Sequence, residues 1–213
     1  MSSVIVHGRI PIRKRLFDLV LVIPGLVLLS PLLGLIALVI WAMDGSPIFF
    51  LQKRPGYQGK IFKMIKFRTM QDRRDSQGKL LPDEQRISPI GRLLRSTSQD
   101  ELPELINILR GEMSLVGPRP LLVQYLGRYS PEQFRRHNAL PGITGWAQVN
   151  GRNKLSWQER FQMDVWYVDH WSLTLDVKIL AMTLLKVFKH EDIYADGQVI
   201  MGEFMGNEPQ DKQ

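Results

Sequence analysis

Cysteine is absent from the 213-residue chain. That excludes a disulfide framework, a thiolate metal site and a cysteine nucleophile. The four histidines, His7, His137, His170 and His190, lack metal-ligand spacing. No internal repeat or low-complexity tract is visible. The G-x-x-x-x-G-K-[ST] phosphate loop and the dinucleotide fingerprint are both missing. Acids are in the minority, 21 against 28 lysines and arginines, for a net charge of +7. Such a surplus suits nucleic acid, an anionic membrane surface or phosphorylated substrates. Nucleic acid is the weakest of the three, because no recognised motif appears and the basic residues adjoin an apolar segment.

That segment, residues 19–43, holds 25 residues without a charge. As a helix it would reach about 37 Å, enough for a hydrocarbon core of about 30 Å. No small-residue cleavage site follows it, which disfavours a signal peptide. Arg9, Arg13, Lys14 and Arg15 precede it, and Lys53, Arg54, Lys60, Lys63, Lys66 and Arg68 follow. Basic flanks at both ends conflict with a single span, because both favour the cytoplasmic side. Ser30-Pro31 interrupts the middle, so a re-entrant helix returning to its own face stands beside a kinked spanning helix. The Ser30 hydroxyl is placed to satisfy a carbonyl freed by Pro31.

Ile48-Phe49-Phe50-Leu51 and residues 61–67 read as a hairpin around the turn residues Arg54-Pro55-Gly56 and Gln58-Gly59. Lys66 and Arg68 near its end would hold diphosphate oxygens, Arg68 by a bidentate fork, or else lipid headgroups. Residues 72–84 read as a solvated loop and residues 87–95 as a short helix, whose Arg95 would reach a phosphate held at Asp100.

Residues 98–119 carry the main candidates. Leu102, Leu105, Ile106 and Leu109 recur at helical spacing, Pro103 suits a first turn, and Gly111 suits the residue past the C-terminus. Asp100 and Glu101 would then meet free backbone N–H groups, which keep a carboxylate ionised and attract phosphate. An ionised carboxylate beside a phosphate pocket can act as a nucleophile. Ser98-x-x-Glu101 is equally a capping box. Arg119 is held between two prolines, as an anion ligand or a buried structural arginine.

Ser130-Pro131 and Ser156-x-x-Glu159 start further helices. Between them, the glycine-rich residues 141–152 offer Trp146, Gln148 and Arg152 to a base and a phosphate. Asp164 would pair with Arg160 at i,i+4 or face the site. Residues 172–189 form an apolar helix with interspersed charges, suited to the membrane interface or to the core.

Six segments together, in order and at compatible spacing, resemble the bacterial sugar transferases, the small monotopic polyprenyl-phosphate phosphoglycosyl transferases. They are Lys14-Arg15-Leu16-Phe17-Asp18, Ser30-Pro31, Lys66-Phe67-Arg68-Thr69-Met70, Asp100-Glu101-Leu102-Pro103, Ser114-Leu115-Val116-Gly117-Pro118-Arg119-Pro120 and residues 141–152. The resemblance implies an α+β, mainly helical fold. A re-entrant membrane helix hairpin (residues 1–44) would precede a compact cytoplasmic-face catalytic domain (residues 45–190) with a small β-hairpin and interfacial amphipathic helices. A tail, residues 191–213, would follow. It further implies a bacterial inner-membrane enzyme that moves a phosphosugar from a UDP-sugar to undecaprenyl phosphate and releases UMP. Asp100 would be the nucleophile and a Mg2+ ligand, and Glu101 would handle a proton or place the acceptor. Lys66, Arg95, Arg119 and Arg152 would bind phosphate, and Asp164 matches an acid position of the family. Inner-membrane lipids would be partners, and a homodimer is compatible with this reading. Leu140 departs from the basic residue many relatives carry before Pro-Gly-Ile-Thr-Gly. The rival reading is a non-catalytic, membrane-anchored basic interaction domain.

Overall fold

The computed structural model describes residues 10–151, 155–188 and 202–207. Its elements run α1 (Ile12–Asp44), β1 (Phe49–Pro55), β2 (Ile61–Phe67), α2 (Asp83–Arg86), α3 (Pro89–Ser96), α4 (Glu104–Leu109), β3 (Ser114–Val116), α5 (Pro131–Phe134), β4 (Gly142–Thr144), α6 (Trp146–Asn150), α7 (Trp157–His170) and α8 (Leu173–Phe188). The fold is mainly helical, with an antiparallel hairpin β1–β2 and a parallel pair β3–β4.

The apolar segment forms one 33-residue helix that continues through Pro24 and Pro31. The expected break at Ser30-Pro31 falls inside this one element. Pro31 has no N–H for the carbonyl of Val27, four residues back, and the Ser30 hydroxyl donates to that oxygen at 2.8 Å. Lys14, Asp18, Val22, Ile36 and Ile40 are buried along one stripe of α1. Val22 packs with Met64, Leu105, Ile108 and Met113, and Ile36 and Ile40 pack with Phe67 and Leu94. The opposite side leaves Val20, Val27, Leu28, Leu35, Leu38 and Trp41 exposed.

Both ends of α1 are tied to the same domain. Lys14 Nζ meets Asp176 Oδ2 at 2.8 Å, and Asp18 Oδ1 accepts from Ser114 Oγ at 3.0 Å and Leu115 N at 3.1 Å. The Arg15 guanidinium donates to Ile108 O and Leu109 O, the last carbonyls of α4. At the far end Arg68 donates to Ser46 O at 2.8 Å, to Gly45 O at 2.8 Å and to Asp44 O. Lys14 and Arg15 thus serve the fold, whereas their sequence pattern speaks first of a membrane flank.

Asn107 binds α4 to the hairpin. It accepts from Ile65 N at 3.0 Å and donates to Lys63 O at 2.8 Å and Glu112 Oε2 at 2.7 Å. The glycines of the 141–152 loop serve backbone packing. A Cβ on Gly142 would lie 2.1 Å from Gly117 N, and one on Gly145 would lie 2.2 Å from Gly117 O. Only glycine lets this loop approach the Gly117-Pro118-Arg119 segment so closely. Ser130 and Ser156 both form the expected capping boxes. α8 buries Ile179 and Asp176 and leaves Val177, Leu184 and Leu185 exposed.

Candidate active site

Asp100 and Glu101 lie in a single 3-10 turn, Gln99–Glu101, entered through Ser98 at a left-handed φ of 56°. Ser98 makes no side-chain cap, so the capping box does not form. The helix α4 begins only at Glu104, and Leu109, expected on its buried face, is exposed while Ile108 is fully buried. The two neighbouring acids have different surroundings. Glu101 is bound by Lys66 Nζ at 2.6 Å and by Arg119, whose Nη1 lies 3.3 Å from Oε2 and whose Nη2 donates to Oε1. Asp100, half-buried, takes no hydrogen bond or ion pair from the described residues.

Lys66 arrives from β2 and also reaches Glu104 Oε1 at 3.3 Å. Arg119 is held through its main chain. Its carbonyl accepts from Arg136 Nη2 at 2.7 Å, and Arg136 Nε and Nη2 bind Asp164 Oδ2 at 3.0 and 2.7 Å. Arg136 and Asp164 are both buried. Asp164 is hydrogen-bonded to Arg136 inside the domain rather than facing the site, and the charge of Arg160, the partner expected at i,i+4, also acts on it.

The charges act on one another. Burial raises the Asp100 pKa, the Glu101 charge raises it further, and Lys66, Arg95 and Arg119 only partly offset this. The expected helix N-terminus does not lie at Asp100, since α4 starts four residues later. Burial alone would also raise Glu101, but Arg119 and Lys66 outweigh it and bring Glu101 to about 2. Glu104 is pushed up to about 7 by burial, then by the charge of Glu101. The charge of Glu101 raises the Arg119 pKa.

Of the expected site residues, Lys66, Arg95 and Arg119 join Asp100 and Glu101. Arg95 is tethered by Nε to Thr69 Oγ1 at 2.9 Å and contributes to the field at Asp100. Arg68 does not join them, because its fork is used on the carbonyls that end α1. Gln148 folds back on its own loop, donating to Ile143 O at 3.2 Å. Arg152 lies outside the described residues. Glu104 and Arg136 were not singled out from sequence. The third acid of Asp-Glu-Leu-Pro-Glu was the available signal for Glu104, and Arg136 had none beyond being basic.

A carboxylate left open among cations suits chemistry on a charged phosphate group. The comparisons agree. The bacterial sugar transferase model matches residues 10–190, and the chain belongs to that family of transferases. It is 53% identical over 196 residues to "Uncharacterized sugar transferase EpsL" of Bacillus subtilis, covering 92% of this chain and 97% of that protein. It is 41% identical over 187 residues to undecaprenyl-phosphate glucose phosphotransferase of Komagataeibacter xylinus, covering 81% of this chain and 35% of that one. It is 38% identical over 191 residues to UDP-glucose:undecaprenyl-phosphate glucose-1-phosphate transferase of Escherichia coli, covering 85% and 41%. The chain thus spans under half of the latter two proteins.

Proposed function

We propose that this protein transfers a sugar phosphate from a UDP-sugar to undecaprenyl phosphate at the cytoplasmic face of the bacterial inner membrane, through a covalent intermediate on Asp100. The observation that carries the reading is the unequal pair: Glu101 is held by two cations while Asp100 has no ion-pair or hydrogen-bond partner among the described residues. A carboxylate oxygen of Asp100 attacks the β-phosphorus. The bond from that phosphorus to the bridging oxygen breaks, and UMP leaves with the electron pair. The acceptor's phosphate oxygen then attacks the same phosphorus and Asp100 departs, giving undecaprenyl diphosphate sugar. Two acceptors used in turn at one phosphorus favour this ping-pong route.

Lys66, Arg95 and Arg119 oppose the negative charge that would otherwise repel an attacking anion. Glu101 holds Lys66 and Arg119 in place, and the Arg136–Asp164 pair fixes the main chain of Arg119. Magnesium is held typically by one or two carboxylates together with substrate phosphates and water. Among the described residues no three acids or histidines are grouped for a metal. Asp100 is the site carboxylate that no described residue pairs directly, so the residues fit an ion shared with the substrate's phosphates. Bound there, such an ion would offset diphosphate charge.

The membrane part of the reading is supported by α1. A helix tied at both ends to one domain, with its other side apolar and exposed, suits insertion from one face without crossing. Because cysteine is absent, single cysteines introduced at Ser46 and near residue 5 report topology cleanly. A membrane-impermeant thiol reagent should leave both unlabelled in intact cells and label both in inverted vesicles; labelling of one site alone in intact cells overturns the non-spanning reading.

Asp100→Asn tests the chemistry. Its UMP release from UDP-sugars should fall by about four orders of magnitude, with membrane association and thermal midpoint retained. Unchanged turnover would exclude Asp100 as the nucleophile and favour a non-catalytic membrane protein.

A further inference from the structure

Residues 202–207 form no helix or strand, and they lie past the stretch that the family's model matches. They are nevertheless docked on the domain. Trp157 Nε1 donates to Gly202 O at 2.9 Å, Arg128 Nη1 donates to Glu203 Oε1 at 2.8 Å and to Phe204 O, and Gln133 Nε2 donates to Asn207 Oδ1 at 2.6 Å. Phe204 is 3% exposed, whereas Glu203 and Met205 on either side of it are exposed. Its ring enters a box of four others, with centroids 5.7 Å from Tyr125, 5.9 Å from Tyr129, 5.7 Å from Trp157 and 5.0 Å from Phe161. Ordering such a segment costs conformational entropy, and the buried phenyl ring helps to offset it.

Two rings of the box have a second neighbour. The Arg136 guanidinium lies 6.0 Å from the ring centre of Tyr129 and 5.8 Å from that of Phe161. Its N–H groups go to Asp164 Oδ2 and, at 2.7 Å, to the Arg119 carbonyl. Asp164 fixes one edge of the guanidinium and the two rings bear on the rest, so its aim at Arg119 depends on where the rings stand. Phe204 helps to set where they stand, because a close-packed cluster collapses only partly into a void left by a removed side chain. Contacts thus run from Phe204 through Tyr129 and Phe161 to Arg136 and the main chain of Arg119, the cation that binds Glu101. We infer that Phe204 is a positioning residue for the transferase reaction: it wedges the aromatic box closed and so holds the backbone of Arg119 at the phosphate site. The inference rests on the proposed role of Arg119 at the substrate's phosphates. The contacts from Phe204 to the Arg119 backbone stand without it.

The test compares the full chain with Phe204→Ala, Phe204→Leu and Met205→Ala in nanodiscs, by two readouts. In hydrogen exchange, the peptide holding Gly117 and Arg119 should exchange about tenfold faster in Phe204→Ala, while the peptide holding Lys66 stays at the wild-type rate. In UMP release from a UDP-sugar, Phe204→Ala should lose about tenfold in kcat with less than about a twofold change in KM. Phe204→Leu keeps part of the bulk and should show about a threefold effect in both readouts, which decides the question if the alanine variant does not fold. Met205→Ala, on the exposed side, should match wild type. In an Arg119→Lys background, Phe204→Ala should cost less than about twofold in kcat, because the two residues act along one path. The inference is overturned if exchange at Gly117 and Arg119 stays at the wild-type rate, if the Lys66 peptide speeds up equally, or if kcat falls by the same factor in both backgrounds. Absence of UMP release by wild type, with the Arg119 segment loosened in Phe204→Ala, would sink the proposed reaction and leave the wedge standing. Normal release by wild type with unchanged exchange in Phe204→Ala would do the reverse.

Discussion

Two groups of charges in this molecule are built from the same residue types and do opposite things. Around Asp176, deep in the domain, both carboxylate oxygens are satisfied: Oδ2 by Lys14 at 2.8 Å and Trp171 Nε1 at 3.0 Å, Oδ1 by Tyr167 at 2.7 Å. Asp164, equally buried, accepts two bonds from Arg136 on Oδ2. At the other group Glu101 takes two cations, Glu104 shares one of them, and Asp100, half-buried, takes none among the described residues. The difference teaches what to look for. A buried charge that serves the fold needs partners to offset its desolvation. A charge that serves chemistry keeps an open side, and its neighbours carry the cost.

Breaking a closed pair should show the larger effect on folding. Asp164→Ala leaves Arg136 buried without its acid, and unfolding free energy should fall by about 3–5 kcal/mol. Denaturant titration of the detergent-solubilised protein checks this. Because Arg136 holds the Arg119 carbonyl, surviving enzyme should lose kcat more than donor affinity. An unchanged midpoint would mean that the pair is not closed as described.

Modifying the open group should cost less and depend on pH. Glu104 in the fold sits at about 7, above its ordinary 4.5. The native state therefore binds more protons than the unfolded chain between these values, so its stability declines as pH rises through about 7. Glu104→Gln cannot lose that proton. Its stability should decline less than that of wild type between about pH 5 and 7.5, by roughly 1–2 kcal/mol. Parallel pH profiles of the two proteins would contradict the assignment. The lowered pKa of Glu101 acts in a separate window, where stability is lost as pH falls from about 4.5 toward 2.

Sequence reading reached these groups unevenly. Residues 61–67 were legible as a strand, and β2 occupies that span, because apolar residues bounded by turn chemistry leave few alternatives. The capping boxes at Ser130 and Ser156 were legible because their partners are three residues apart. Ser30 with the Val27 carbonyl is likewise a local contact, and was foreseen. What sequence did not carry was the choice of partner across long separations. Asp164 had an arginine at i,i+4, but sequence showed no sign of the hydrogen bonds it accepts from Arg136, 28 residues away. Arg68 looked like a phosphate fork, yet the end of α1 offered it three carbonyls. Ser98 and Glu101 had capping-box spacing, but Lys66 and Arg119 draw the Glu101 side chain away. The acids and cations of the site were visible as residues. Which acid stays open is decided by pairings that only the folded chain contains.

The central claim is that the open carboxylate becomes covalently loaded. The most direct measurement is to incubate the protein with UDP-sugars in the absence of lipid acceptor, quench, digest and weigh the peptide that contains Asp100. The account predicts a mass gain of one phosphosugar on that peptide, absent in Asp100→Asn and discharged when undecaprenyl phosphate is added. A peptide that never gains this mass, in a preparation that releases UMP and forms lipid product when acceptor is supplied, would contradict it.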